Sequence, residues 1–316
     1  MDPYTKTHTT HPASPRPPPS PPLSLALTTY TLPDAPPTAL TLLFTHGTSF
    51  NSALWHMIID ILLKSPALHG RVRRVVAIDA VNHGESAVVN GRGLEGVSMD
   101  WGACARDVLG VVRGLEAGSG GVVGIGHSFG GGVMAHAMLM APECFKAVLL
   151  VDPILFVMPA QDRGAAQVAL RRRSEWGSLD EVRAAFAKSK GLADWHPRQR
   201  EAYAEHGTTD GPQPPTRVLK TSKEQEAATY IAGPLPGLVD LLKRSNSRWS
   251  AVLGGKSPVI NVSQRSEIRE AAGENAVHMI PDAGHLIPMT HPFELARLIE
   301  GELLKISRRG VSEHKL

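Results

Sequence analysis

Gly126-His127-Ser128-Phe129-Gly130 is the stretch whose residue types and spacing point most directly to chemistry. Glycines two places either side of a serine let a strand turn sharply into a helix, with the hydroxyl presented at the turn. The flanking sequence supplies both elements: Gly121-Val122-Val123-Gly124-Ile125 is an apolar strand, and Gly130-Gly131-Gly132 opens a helix. A phosphate-cradling glycine loop would need a Lys-Ser or Lys-Thr after it, and none follows. Ser128 is therefore read as a nucleophile rather than an incidental serine in a glycine-rich turn.

A serine hydroxyl needs a base to take its proton. Of the 14 histidines, His285 in Pro281-Asp282-Ala283-Gly284-His285 lies between the last strand and the last helix. That puts it on a loop at the carboxyl edge of the sheet, the same edge as Ser128. His136, His206 and His278 are read as packing or surface residues. Two carboxylates compete for the third place. Asp152 ends the strand that follows the helix after Ser128, whereas the later loop Gly254-Gly255-Lys256-Ser257-Pro258 offers no carboxylate before Glu267. Asp152 is preferred over Glu267, and over a merely turn-forming aspartate before Pro153. A buried aspartate holding the imidazole's other N–H would fix its tautomer and stabilise the imidazolium. Two backbone N–H groups should face the developing oxyanion: that of Phe129, after the nucleophile, and that of Thr48 in His46-Gly47-Thr48, after an early strand. His46 itself is expected to pack that loop.

The elements that must position these residues are legible as short apolar runs separated by helix-length segments. Ala39 to Thr45, Val72 to Ile78, Gly120 to Ile125 and Ala147 to Val151 read as strands of a buried parallel sheet, with helices such as Trp101 to Leu115 between them. The fold class is α/β. From Pro159 to about Ser245 the pattern becomes helical, with Ser178-Leu179-Asp180-Glu181 as a capping box, and the sheet resumes at Ser250 to Gly254 and Ala276 to Ile280. An amphipathic helix from Phe293 to Ser307 closes the pattern. Eleven of the 25 prolines precede residue 38, which suggests that residues 1–22 form an extended, disordered tail. The expected organisation is tail 1–22, core 23–158 and 246–316, and a helical cap 159–245 inserted after the sixth strand.

A formal charge of +3 argues against a nucleic-acid partner. No run of about 20 apolar residues exists to span a membrane, and no basic-then-apolar leader opens the chain, so an intracellular location is expected. Cys104 and Cys144 lack metal-ligand spacing and are read as small buried hydrophobes. No cofactor or metal is expected.

Gly126 to Gly130, His46-Gly47-Thr48 and Gly284-His285 together resemble the α/β-hydrolase superfamily, over Leu23 to Ser307. Asp79 to Ser86, Val123 to Gly131 and Leu149-Leu150-Val151-Asp152-Pro153 are similar to fungal peroxisomal α/β-hydrolases of the mycophenolic acid acyl-CoA hydrolase and host-selective toxin biosynthesis type. The resemblance implies the α/β-hydrolase fold, a mostly parallel sheet flanked by helices with a helical cap, and a Ser-His-Asp thioesterase or esterase. It also implies an acid after the strand that follows the nucleophile, which is Asp152. The implied substrate is a small-molecule acyl ester or acyl-CoA. Members of the group often end in a Ser-Lys-Leu type signal read by the peroxisomal import receptor. The chain ends Glu313-His314-Lys315-Leu316, a degenerate form, so the expected place is the peroxisomal matrix or the cytoplasm.

Arg171-Arg172-Arg173, with Trp176 nearby, falls on the first helix of the expected cap. Arg172 and Trp176 are candidates for substrate binding, Arg172 through CoA phosphates, against a solvated helix face. The same acyl-enzyme would serve an acyltransferase, a lipase or a lactonase, since the acceptor is chosen by cap shape. A ligand receptor on this fold is disfavoured by the presence of His285.

Overall fold

A computed structural model of the chain describes residues 2–17, 20–115, 118–157 and 164–312. Strands β1 (Thr5–Pro12), β2 (Ser24–Thr31), β3 (Leu40–Thr45), β4 (Val72–Ile78), β5 (Val122–His127) and β6 (Ala147–Val151) precede a long insertion. The insertion carries three short strands, β7 (Glu175–Trp176), β8 (Thr208–Asp210) and β9 (Arg217–Leu219), and β10 (Trp249–Gly254) and β11 (Val277–Ile280) follow it. Helices α1 (His56–Leu63), α2 (Gly84–Asn90), α3 (Trp101–Gly114) and α4 (Phe129–Met140) lie between the early strands. The insertion contributes α5 (Gly164–Arg171), α6 (Leu179–Lys188), α7 (Pro197–His206) and α8 (Lys223–Ala232). The chain continues through α9 (Leu238–Arg244), α10 (Val262–Ala272), α11 (Ile287–Thr290) and α12 (Pro292–Ser312).

Eight strands form one sheet in the order β1-β2-β4-β3-β5-β6-β10-β11, parallel from β4 to β11 and antiparallel at β1-β2 and β2-β4. The continuous apolar runs arise because both faces of the sheet are covered. Along β3, Leu42 and Phe44 pack with Ile58 of α1 and Ile299 of α12, while Leu43 packs with Val108 of α3 and Met134 of α4. Every parallel strand therefore delivers its carboxyl end to one edge, where open α/β sheets bind ligands.

The extended-tail expectation needs correction. Thr5–Pro12 pairs residue for residue with Ser24–Thr31 as the outermost strand. Its β-branched threonines favour extended backbone, and Pro12 is tolerated because it sits at the end of an edge strand. The strand lacks an alternating apolar face, since nearly all its residues are exposed, so periodicity could not find it. Beyond it, Arg16 donates to Asp107 on α3 at 2.9 and 2.6 Å, and the Ser14 amide and hydroxyl reach the same carboxylate at 2.8 and 2.6 Å. Both side chains of the pair are buried. Removing one partner leaves a buried uncompensated charge, so Arg16→Ala is expected to lower stability by about 3 kcal/mol. Urea unfolding would measure it, and a loss below about 1 kcal/mol would show that the segment is not docked on α3.

Three other expectations change. The insertion is not purely helical, because β7, β9 and β8 form a small antiparallel sheet inside it. Helix α9 packs Leu238, Val239 and Leu242 into the same cluster as α4, so it belongs to the core rather than the cap. Cys104 is buried, but Cys144 is only partly so. At α6 the Ser178 hydroxyl accepts from the Glu181 amide at 3.2 Å, whereas the Glu181 carboxylate serves Gly177 and Arg173 instead of closing the box. Among the described residues no helix is long and apolar enough to cross a membrane.

Candidate active site

Strand β5 runs straight into Ser128, whose backbone is forced to φ 56° and ψ −120° before α4 begins. A non-glycine residue in that region is strained and persists only where its surroundings hold it. Here the hold is visible. The Ser128 amide donates to Val151 O at 3.0 Å, the Gly130 amide to His46 O at 3.1 Å, and Thr45 Oγ1 to Gly130 O at 2.9 Å. A Cβ on Gly130 would lie 2.5 Å from His46 O, so only glycine lets the helix start this close to the end of β3. Likewise a Cβ on Gly47 would meet Ser128 Cβ at 3.1 Å. The His46-Gly47-Thr48 loop thus lies directly against the serine.

The structure brings Ser128, His285 and Asp152 into one hydrogen-bonded row. His285 Nε2 is 2.8 Å from Ser128 Oγ, and its Nδ1 is 2.7 Å from Asp152 Oδ2. Asp152 is fully buried. Its Oδ1 accepts from the Gly254 amide at 2.9 Å and its Oδ2 from Ser257 Oγ at 2.6 Å. Donors on every side mark an ionised acceptor, so the Nδ1 of His285 carries the proton and its Nε2 lone pair faces the serine hydroxyl. That is the polarity a base acting on Ser128 requires. Glu267, the competing acid, is exposed on α10 and bonded to Ser263.

Two residues without a role in the sequence reading support the row. Ser257 sits in the loop after β10 and reaches across to Asp152, 105 positions earlier. His127 donates from Nε2 to His285 O at 2.9 Å, pinning the loop that carries His285. Burial pushes the His127 ring down to about 3, below the ordinary value of about 6.5 that it regains on unfolding. The neutral ring therefore contributes stability that is complete above about pH 6.5 and lost as pH falls from there toward 3. His127→Gln keeps an N–H donor without a ring to protonate. Its acid destabilisation should be shallower by up to about 1.4 kcal/mol per pH unit. Urea midpoints at pH 7 and pH 5 check this, and an unchanged difference between them would contradict it.

His46 packs its loop, donating from Nδ1 to Gly47 O at 2.8 Å and accepting at Nε2 from the Ala80 amide at 3.0 Å. Burial lowers its pKa and keeps it neutral. The amides of Thr48 and Phe129 make no hydrogen bond to another described residue. His278 pairs with Glu302 and His206 meets His56 edge-to-face, which leaves both away from the row.

A cavity of about 480 Å³ opens onto Ser128, Thr48 and His285, with walls that include Phe50, Trp101, Ile154, Tyr230 and Ile231. No charged side chain stands among its described walls. A second cavity of similar size lies between the cap and the core loops and shares Phe50, Ala165, Tyr230 and Leu286 with the first. Arg172 and Trp176 line that one. Arg172 lies just beyond α5 and donates to Glu226 at 3.1 and 2.9 Å and to Tyr203 Oη at 2.8 Å. Its guanidinium is thereby paired with Glu226 and Tyr203, and its side chain is partly buried at 22% exposure, so, contrary to expectation, it is neither free for a phosphate nor on a fully solvated face. Trp176 is buried against Phe186. Among the described residues no group of three or more side chains is arranged to hold a metal ion.

A family model for the alpha/beta hydrolases matches residues 42–298. The chain belongs to the alpha/beta hydrolase family. This alpha/beta hydrolase is 34% identical over 133 residues to the peroxisomal membrane protein LPX1 of Saccharomyces cerevisiae, covering 40% of the chain and 34% of LPX1. It is 29% identical over 190 residues to the type I acyl-CoA thioesterase mpaH of Penicillium brevicompactum, covering 57% of the chain and 42% of mpaH. The match thus spans less than half the length of either relative. Over the whole fold, the solved structure of the yeast peroxisomal hydrolase Lpx1 superposes with a TM-score of 0.81 at 20% identity, covering 97% of this chain and 90% of that one. The resemblance read from the motifs and the α/β-hydrolase fold class are both borne out.

Proposed function

We propose that this alpha/beta hydrolase cleaves a carboxylic ester or thioester through an acyl-enzyme on Ser128. The observation that carries the reading is the row Ser128–His285–Asp152, with the base's free lone pair 2.8 Å from the hydroxyl oxygen. In the first step His285 Nε2 takes the serine proton as Oγ bonds to the acyl carbon. The carbonyl oxygen becomes an oxyanion between the amides of Thr48 and Phe129, and the Asp152 carboxylate stabilises the imidazolium. As the tetrahedral centre collapses, the bond to the alcohol or thiol breaks and His285 returns the proton to it. Water then repeats the sequence in reverse, giving up a proton to His285 and releasing the acid and free Ser128.

The apolar walls of the cavity suit an acyl chain. An acyl-CoA is the favoured substrate class because a relative carries the name of an acyl-CoA thioesterase. A peroxisomal site of action is likewise favoured by the name of LPX1. Residues Glu313 to Leu316, which would hold the import signal, lie outside the described residues.

The test is a hydrolysis screen of 4-nitrophenyl esters and acyl-CoAs of increasing chain length, together with labelling by a fluorophosphonate. Labelling is expected, with kcat/KM rising about threefold per methylene until the cavity is filled, as partial burial of each CH₂ implies. Protein that is unlabelled and turns over no ester or thioester would overturn the proposal. The preferred leaving group in the screen decides between ester and thioester.

A further inference from the structure

Ser49 follows Thr48, and all its polar atoms are engaged. Its amide donates to His83 Nε2 at 3.2 Å and its carbonyl accepts from Tyr203 Oη at 3.1 Å. Its hydroxyl donates to Glu226 Oε1 and lies 2.9 Å from Tyr230 Oη. Tyr203, Glu226 and Tyr230 belong to α7 and α8 of the cap, and Arg172 completes a ring by bonding both Glu226 and Tyr203. Glu226 is 3% exposed, so its charge is tolerable only beside the arginine. Ser49 itself stands at φ 76°, a left-handed conformation that a serine does not hold unaided.

We propose that the pair of buried Glu226 and partly buried Arg172 is a positioning device for the oxyanion loop: through Ser49 it fixes the Thr48 amide, so seating the cap and assembling the oxyanion site are one event. The proposal rests on the acyl-transfer reading above. A backbone donor acts on a developing oxyanion only at hydrogen-bond distance, and a displacement of about 1 Å costs on the order of a hundredfold in rate. The loop cannot set that distance by itself, since its own backbone preference opposes φ 76°. Three cap side chains, Tyr203, Glu226 and Tyr230, bond Ser49 directly, Arg172 holds two of them, and His83 holds the Ser49 amide from the core side. Tyr230 also lines the cavity beside Ser128, so a wall of that cavity is hydrogen-bonded to the residue next to Thr48. A pair that merely glued the cap down would have no reason to end on Ser49.

The test compares Ser49→Gly and Glu226→Gln with wild type on 4-nitrophenyl acetate, whose two-carbon acyl group makes the fewest wall contacts, and on a long-chain ester. Glycine accepts φ 76° without strain, so Ser49→Gly keeps the fold and the backbone bonds to Tyr203 and His83 while losing the hydroxyl's tie to Glu226 and Tyr230. The expected result is a fall in kcat of about tenfold or more on both esters, with KM within about threefold and an unchanged pH profile. If Glu226→Gln fails to fold, Ser49→Gly decides alone. Wild-type kcat in Ser49→Gly would overturn the proposal. So would a defect confined to KM or to the long ester, because that marks a substrate contact. Wild type that is labelled by a fluorophosphonate while Ser49→Gly loses nothing defeats only this inference. Wild type that is neither labelled nor active defeats the hydrolase reading and this one together.

Discussion

Ser128→Ala should abolish fluorophosphonate labelling and lower ester turnover by about 10⁵- to 10⁶-fold, with little change in melting temperature. The size of the loss follows from the cavity. Besides Ser128, the hydroxyl groups among its described walls are those of Thr48 and Tyr230, and neither is bonded to His285. Without Oγ the base has nothing to activate but water, and any residual rate would come from binding and the oxyanion amides alone. Stability should barely move because alanine meets the same backbone restriction at φ 56° as serine does. Burst kinetics and intact-mass measurement of the labelled protein provide the check. A variant that keeps more than about one per cent of wild-type turnover, at the same active concentration, would show that the chemistry runs elsewhere.

Asp152→Asn should cost about 10⁴-fold in kcat, the penalty for holding the base in the wrong tautomer. The surroundings leave the asparagine no good orientation. With its oxygen toward the Gly254 amide, its NH₂ faces His285 Nδ1, and the imidazole must then carry its proton on Nε2, where it cannot accept one from Ser128. Turned over, the NH₂ opposes the Gly254 N–H and leaves two donors face to face. Ser257→Ala removes one hydrogen bond to the same carboxylate but keeps its charge, and should cost only about tenfold. Steady-state kinetics on one ester would rank the two. Near-full activity in Asp152→Asn would transfer the acid's role to another group, and a Ser257→Ala loss equal to that of Asp152→Asn would mean that carboxylate orientation, not charge, dominates.

What could be read from the sequence, and what could not, divides by the range of the signal. Ser128 is announced by its immediate neighbours, because strand, glycines and helix must all sit within a few residues of it. His285 is found by its place between the last strand and the last helix, and Asp152 by its strand end together with the want of a carboxylate in the loop 254–258 and the family resemblance, since parallel strands deliver their carboxyl ends to one edge. Ser257, His127 and Ser49 carry no local mark. Their partners lie 105, 158 and 177 positions away, and only the folded chain pairs them. Arg172 shows the opposite failure, in which a conspicuous basic run suggested an external phosphate while the partner was Glu226, 54 positions on. Helix α9 reads as part of the cap because it follows a helical stretch without a break, and which neighbours its Leu238 and Leu242 meet is a tertiary matter. The strand Thr5–Pro12 was hidden because a polar edge strand has no buried face to betray its period.

That outermost strand has a further consequence for handling the protein. Its exposed Lys6, His8 and four threonines give β2 a polar neighbour, and Pro12 withholds an amide at the far end. Charged side chains and proline are among the devices that stop sheet edges from recruiting other chains. Cutting the chain at Leu23, where composition places the start of the core, would strip that cover from Leu25 and Leu27 and bare a row of unpaired backbone groups. The shortened protein would carry an adhesive margin, and self-association rather than lost catalysis would be its first symptom.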